Sequence, residues 1–340
     1  MPPQKQHIFP LPYFTDSSAL FSPIANQPWS VFLDSGFPYS NQGRYDIIAA
    51  NPICTLVTHA DITEITRGNL TIKSNADPFD LVKEQLVPGF TNDDDLPFNG
   101  GAIGYFSYDL ARRLETLPVI AKDAEQIAEM AVGIYQWAVI VDHQQQKSVL
   151  VGHDCDERKL HAIVALFSQI PEQQVCNPFE VLGTIDANMD KAAYAQAFNR
   201  IKQYLKEGDC YQVNLTQRFA AKCKGDPWGA YQLLRTLNSA PFSGYLNLPE
   251  VQILSSSPER FLKLTRGVVE TKPIKGTRPR KQDVAEDQAQ IKSLENSHKD
   301  KAENLMIVDL LRNDISKTCQ KGSVKVPVIF LFSQPPHHQR

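Results

Sequence analysis

Several features that assign proteins to special classes are missing from this sequence. Its 340 residues carry 35 Lys and Arg against 38 Asp and Glu, which gives a formal net charge of only −3. That balance provides no electrostatic reason to expect nucleic acid or an anionic membrane as a partner. The chain has no apolar run of about 18 residues, the length of a membrane span, and residues 1–5 do not begin a signal peptide. We therefore expect a cytosolic protein.

Metal and nucleotide motifs are missing as well. The six cysteines include no CxxC pair and the eight histidines form no HExxH cluster, so we expect reduced thiols and no zinc site. Gly100, Gly101 and Gly104 invite interpretation as a phosphate-binding loop, but no Gly-Lys-Ser/Thr follows them. We predict instead a glycine-rich strand that packs closely against its neighbours.

Short segments of alternating polar and apolar residues dominate the first half of the chain, and longer helical patterns join them in the second. The strand spacing is typical of an antiparallel meander, and residues 1–28 are interpreted as an N-terminal lead-in with a short helix capped near Thr15 or Asp16. Residues 191–207 form the clearest amphipathic helix, with Gly208 at its end, and residues 211–216 alternate like a strand. This order favours an α+β fold over a doubly wound sheet.

Composition also predicts one domain boundary. We expect an N-terminal region over 1–170, a polar linker over 171–188 and a second region that begins at 189.

The sequence Pro-Ile-Lys-Gly-Thr at 273–277 follows a segment, 268–271, with the β-branched character of a strand. Lys275 is therefore expected where the chain leaves a sheet, and Gly276 permits close approach of a ligand to the backbone. A lysine in apolar surroundings can lose its proton and act as a nucleophile or base. From these residues alone, the alternative of a strand-end lysine that extends to water stays open.

Three further motifs accompany this one: the segment at 209–215 and Ser-Pro-Glu-Arg-Phe at 257–261, which precede it, and the helical stretch at 302–314 with Ala-Glu-Asn and Val-Asp-Leu, which follows it. In this order they resemble the chorismate-utilising enzymes, and the resemblance extends from about residue 29 to residue 326. A lysine at position 275 is characteristic of the aminodeoxychorismate synthase component I branch of that family. The anthranilate synthase component I branch usually has alanine there.

The resemblance implies a fold, a reaction and partners. The family fold is an α/β sandwich of two facing β-sheets with outer helices. The implied reaction is the amination of chorismate to 4-amino-4-deoxychorismate, on the route to p-aminobenzoate and folate. The ammonia would come from a separate glutamine amidotransferase subunit, because this chain has no recognisable glutaminase motif.

The resemblance also implies roles for individual residues. Lys275 would attack chorismate and form a covalent intermediate, Glu259 would act as general acid and base, and Gly276 and Thr277 would bind the substrate. Glu303 would be a ligand of Mg²⁺, an ion that needs only one or two protein carboxylates because it retains water.

Alternative interpretations accompany these assignments. Glu259 standing alone would be interpreted as a surface ion pair with Arg260 or a lysine. Asp314 lies eleven positions after Glu303, on nearly the same helical face, but the residues favour a solvated carboxylate at the helix end. For the whole chain, the alternatives are anthranilate synthase component I, which Lys275 disfavours, and a remnant that binds tryptophan or the amidotransferase without catalysis.

A second site is implied in the N-terminal half. Eight positions match those that enclose tryptophan in related proteins, and an ordinary core turn is the competing interpretation. These positions are Ser35, Gln42, Gly43, Arg44, Tyr45, Pro241, Phe242 and Ser243.

The resemblance ends after residue 327, which implies a second region over 189–327 and a tail over 328–340. Relatives continue with a histidine-containing strand, a glycine-rich loop and a second metal-binding glutamate, whereas residues 328–340 resemble none of these. We interpret the change as a frameshift or an early stop. Apolar faces would then stay uncovered, so the chain alone is expected to be poorly soluble and to have little or no activity.

Overall fold

The computed structural model describes residues 6–40, 43–86, 96–168, 178–279 and 281–327. The chain divides into two compact units, one formed by Val175–Ala230 and the other by the residues on either side of that segment. Among the described residues, no helix is both long and apolar enough to cross a membrane.

The strands of the described residues are, in chain order, β1 (Gln6–Leu11), β2 (Ser30–Asp34), β3 (Tyr45–Ala49), β4 (Cys54–His59), β5 (Ile62–Arg67), β6 (Leu70–Ser74), β7 (Gly101–Phe106), β8 (Met130–Tyr135), β9 (Trp137–Asp142), β10 (Lys147–His153), β11 (Glu180–Ala187), β12 (Phe219–Lys224), β13 (Ser243–Asn247), β14 (Gln252–Ser255), β15 (Lys263–Thr265) and β16 (Val268–Glu270). The α-helices are α1 (Ser18–Phe21), α2 (Pro78–Gln85), α3 (Glu157–Ser168), α4 (Lys191–Glu207), α5 (Pro227–Leu237), α6 (Val284–Glu295) and α7 (His298–Ser316).

Two antiparallel sheets form the body of the larger unit. One has seven strands in the order β1-β10-β9-β3-β2-β13-β14, and the other has five in the order β6-β5-β4-β8-β7. Val31 and Ala49 of the first sheet pack in one buried cluster with Ile103, Ala131 and Tyr135 of the second. The sheets therefore face each other across a core, which confirms the expected α+β sandwich.

The glycine-rich strand is confirmed as β7. At Gly104, an added Cβ atom would lie 2.0 Å from the carbonyl oxygen of Ala131 on the neighbouring strand β8. Any side chain there would push β7 away from β8, so the close packing of the two backbones requires glycine.

Sequence periodicity predicts the helices well. The helix expected over 191–207 is α4, which begins where the Asp190 side chain accepts a hydrogen bond from the backbone N–H of Ala193 at 2.7 Å. It ends at Gly208, whose φ of 84° lies in the left-handed region. These end residues set the length of α4.

Three expectations about strands and connections differ from the structure. The lead-in contains a strand, β1, which pairs with β10. The predicted linker contains β11, which pairs with β12. Residues 211–216 form no strand, because alternation makes a strand only where a partner lies alongside, and none does among the described residues. The domain boundaries themselves stay a prediction.

Candidate active site

The segment that carries Lys275 follows β16 and has no regular secondary structure. Lys275 is half-buried. The residue before it, Ile274, donates its backbone N–H to the Glu259 carboxylate at 3.1 Å. The structure therefore places the Glu259 carboxylate against the segment that carries Lys275, sixteen positions later in the chain.

Arg260 holds the Glu259 motif against the two-stranded sheet of β15 and β16. Its guanidinium pairs with the Glu270 carboxylate on β16 and lies 5.7 Å from the centre of the Phe242 ring. The alternative in which Glu259 pairs with Arg260 is therefore not what the structure shows. Thr271 adds a hydrogen bond from its hydroxyl to the carbonyl of Phe261 at 2.9 Å. These contacts leave the Glu259 carboxylate directed at the Lys275 segment.

Gly276 forms a tight turn against the two C-terminal helices. Its φ is 74°, which L side chains rarely adopt. An added Cβ atom would lie 2.9 Å from Leu294 Cδ1 on α6 and 3.0 Å from Asp300 Cβ on α7. Both the backbone conformation and the lack of space therefore require glycine at this position.

Two carboxylates fix the chain that follows this turn. Arg278 pairs with Asp300 at 2.7 Å, and the backbone N–H of Lys281 donates to the Asp287 carboxylate at 2.9 Å. Hydrogen bonding to Ser297, followed by the Arg278 guanidinium, lowers the pKa of the Asp300 carboxyl. Asp300 is therefore an ionised partner for Arg278 at neutral pH.

Glu303 lies on α7, one turn after Asp300, and is half-buried. A single carboxylate suits Mg²⁺, which retains several waters and binds few protein ligands, so Glu303 fits one ligand position. The described residues form no group of three His, Cys, Asp or Glu that would hold a metal. Asp314 is exposed and pairs with Lys317 at 3.0 Å, in line with the solvated interpretation.

The positions expected around tryptophan lie at the ends of three adjacent strands. Ser35 follows β2, Tyr45 begins β3, and Ser243 begins β13, where it pairs in register with Asp34. The Ser35 hydroxyl is buried and has no hydrogen-bond partner among the described residues. Gly43 packs so closely that an added Cβ atom would lie 2.4 Å from Ser35 Cβ.

The other expected tryptophan positions have defined contacts or lie outside the described residues. Arg44 donates to both carboxylate oxygens of Asp142, at 2.6 and 3.1 Å, and covers the Tyr45 ring at 4.5 Å. Phe242 donates its backbone N–H to the Ser257 carbonyl at 3.1 Å. Pro241 is half-buried beside it, and Gln42 lies outside the described residues.

Sequence reasoning missed a buried polar cluster beside this region. Arg235 on α5 donates to Asp34 at 2.8 Å and to Asp16 at 2.6 Å. His143 contacts Asp46 at 2.6 Å, and the hydroxyl of Ser17 also donates to that carboxylate. Burial raises the pKa of the Asp34 carboxyl although Arg235 opposes the shift.

The sequence profile of a known family, chorismate binding enzyme, matches residues 32–336. Aminodeoxychorismate synthase component 1 from Klebsiella aerogenes is 45% identical over 334 residues, covering 96% of this chain and 73% of the relative. The protein of the same name from Escherichia coli K12 is 43% identical and covers 94% and 70%. The profile match extends past residue 327, but residues 328–340 lie outside those that the structure describes.

Solved structures show the same fold. Anthranilate synthase component I from Streptococcus pneumoniae has a TM-score of 0.65 at 24% identity, covering 81% of this chain and 62% of that one. The menaquinone-specific isochorismate synthase of Escherichia coli has a TM-score of 0.56 at 11% identity, covering 92% and 63%. This chain thus spans less than two thirds of either solved chain. Profile and sequence identity together show that the chain belongs to the chorismate-binding enzyme family, in its aminodeoxychorismate synthase component 1 branch.

Proposed function

We propose that this chain aminates chorismate to 4-amino-4-deoxychorismate, a step towards p-aminobenzoate and folate. The relatives with the same name support the reaction. The observation that carries the residue assignment is the hydrogen bond from the Ile274 backbone to Glu259, which sets a carboxyl group beside the Lys275 segment. A nucleophile and a proton donor at one site are what replacement of a ring hydroxyl requires.

The chemistry divides into two displacements. The neutral amine of Lys275 attacks C2 of chorismate, the ring double bond shifts, and the C4 hydroxyl leaves as water with a proton from Glu259. Ammonia then attacks C4, the double bond shifts back, and the C2–N bond breaks to release Lys275, while the Glu259 carboxylate accepts a proton. Two easier steps replace one difficult step, which is the usual gain from covalent catalysis.

The substrate is a dianion and needs countercharge. Glu303 is the residue that would hold Mg²⁺, which supplies positive charge for a substrate carboxylate when bound. Gly276 and Thr277 would contact the substrate through the peptide groups of their turn, whose backbone conformation requires glycine at position 276.

The ammonia source is part of the proposal. A separate glutamine amidotransferase subunit would supply it, so any product that this chain forms alone, at the low activity expected from its sequence, should come from ammonium salt and not from glutamine. Addition of the amidotransferase should make glutamine a substrate.

The cytosolic location expected from the sequence stays a prediction.

The test is product formation from chorismate, Mg²⁺ and excess ammonium salt. Lys275→Ala should abolish it. Lys272→Ala is the matched control, since Lys272 lies three positions away, is exposed and pairs with Glu270 at 3.4 Å, and it should retain activity. No product from folded wild-type protein would favour the non-catalytic remnant, and anthranilate as product would favour the anthranilate synthase alternative.

We further propose that the ends of β2, β3 and β13 bind tryptophan. The buried Ser35 hydroxyl, which has no hydrogen-bond partner in the described part of the chain, supports this, because such a group costs free energy unless a ligand satisfies it. Calorimetry with L-tryptophan should detect binding that Ser35→Ala weakens. Ser148→Ala, which removes another buried hydroxyl without a hydrogen bond among the described residues, should not affect it. Absence of tryptophan binding would support the competing interpretation that these positions form an ordinary core turn.

A further inference from the structure

The turn at Gly276 and the helix that carries Glu303 are connected through side chains to which neither the family motifs nor the proposed chemistry assigns a role. Arg278, two positions after Gly276, donates from Nη2 to Asp300 Oδ2 at 2.7 Å. Asp300 lies in the first turn of α7, three positions before Glu303. The Asp300 side chain is 16% exposed and that of Arg278 is 30% exposed, so water competes only partly for this pair.

The backbone of the turn approaches the same carboxylate. The position of an added Cβ atom on Gly276 is 3.0 Å from Asp300 Cβ and 3.1 Å from its Cγ. Asp300 thus contacts the turn by packing and by an ion pair with the residue just beyond it. A second restraint on the same loop is Asp287, a buried residue of α6 that accepts the Lys281 N–H.

We propose that Asp300 and Arg278 are positioning residues that hold the Gly276–Thr277 turn at a fixed distance from α7, so that Lys275 and Glu303 act on the same substrate molecule. This deepens the proposed function and rests on it. Without the pair, Asp287 still restrains Lys281, but the turn itself is free to move away from α7. Chorismate must then bind to the fraction of molecules in which the turn is in place.

That mechanism predicts which kinetic parameter changes. When only a fraction of the protein is competent to bind, the apparent dissociation constant rises by the inverse of that fraction, while the bound complex reacts normally. Asp300→Asn and Arg278→Gln should each raise the KM for chorismate about tenfold and change kcat less than threefold, corresponding to a competent fraction of about 10%. General loss of folding would instead lower kcat in proportion to the protein lost.

The experiment combines kinetics with hydrogen exchange of the peptide covering 273–281, which does not depend on turnover. Exchange should accelerate at least fivefold in each single variant. The double variant should match the single variants, because each removes the same contact. Asp109→Asn is the matched control, since Asp109 forms an ion pair with Arg112 at 2.8 Å outside the four sequence motifs, and it should change neither exchange nor KM.

Unchanged exchange in Asp300→Asn would overturn the proposal, and so would additive effects in the double variant or a fall in kcat at constant KM. If wild-type protein forms no product, the proposed function fails on its own. Hydrogen exchange in the single and double variants then decides whether the pair holds the turn.

Discussion

Replacement of Arg235 by methionine tests the buried polar cluster. The Arg235 side chain is 2% exposed, and the side chain of its main partner, Asp34, is fully buried. Besides Asp34 and Asp16, the guanidinium donates to the Phe37 carbonyl at 2.9 Å and lies 5.6 Å from the Phe32 ring centre. Methionine has a similar length and removes the charge, so the variant leaves Asp34 as a buried carboxylate without its cation.

The loss of unfolding free energy in Arg235→Met can be worked out from the protonation of Asp34. Without Arg235, the cheapest response is uptake of a proton, because a buried carboxylate without its cation is costly. The protonated carboxyl group can still accept the hydrogen bonds of Tyr231 and the Gly36 backbone. Neutralising a carboxyl with an ordinary pKa of about 3.9 costs about 4 kcal/mol at pH 7 and about 1.5 kcal/mol at pH 5. Wild-type Asp34 already has a raised pKa, so we expect Arg235→Met to lose about 3 kcal/mol at pH 7 and about 1 kcal/mol at pH 5.

Urea unfolding at the two pH values measures both losses. Arg44→Met is the control, because Arg44 also pairs with an aspartate but its side chain is 41% exposed, and it should cost at most about 1 kcal/mol. Asp34→Asn combined with Arg235→Met should be less destabilised than Arg235→Met alone at pH 7. The reasoning would be refuted by a loss below about 1 kcal/mol for Arg235→Met, or by the same loss at pH 7 and pH 5.

Three further predictions concern other parts of the chain. Gly276→Ala should abolish product formation, measured with chorismate and ammonium salt, because φ and the contacts with α6 and α7 exclude a Cβ atom. Burial lowers the pKa of His153, so the stability that its neutral form contributes is present above about pH 6.5 and is lost as pH falls below it. The unfolding free energy of His153→Gln should therefore decrease less than that of the wild type between pH 7.5 and pH 5. Leu56→Ala, at a fully buried position, should cost about 2–5 kcal/mol in urea unfolding, whereas Leu305→Ala, at a side chain that is 53% exposed, should cost less than about 1 kcal/mol.

Local sequence information was sufficient for most of the fold. The helix over 191–207 was predicted because its periodicity and its terminal Gly208 lie within one continuous segment, and the structure adds the Asp190 cap at its start. Residues 211–216 show the limit of this reasoning, because alternation gives the two faces of a strand but not its hydrogen-bonding partner. Strand β1 was missed for the related reason that its pairing with β10 joins residues more than a hundred positions apart.

The candidate site likewise contains residues that local motifs identify and residues that only the fold brings together. Lys275 and Glu259 were found because each belongs to a short motif, and the structure adds that the Ile274 backbone connects them. Arg235 was not found, since its partner Asp34 lies 201 positions away and neither residue has unusual neighbours in the sequence. Buried ion pairs between distant segments have no periodicity, so only the assembled fold shows that they compensate each other.

The helix α7 shows why position along an axis matters as much as the face of a helix. Glu303 and Asp314 are eleven residues apart, so they share a face but are separated by about 16 Å along the axis. Asp300 is only three residues from Glu303, about 4.5 Å along the axis, and it is Asp300 that contacts Gly276 and Arg278. Angular periodicity alone selects Asp314 as the residue that shares a site with Glu303. The rise of the helix selects Asp300 instead, because a site around one small substrate extends over only one or two helical turns.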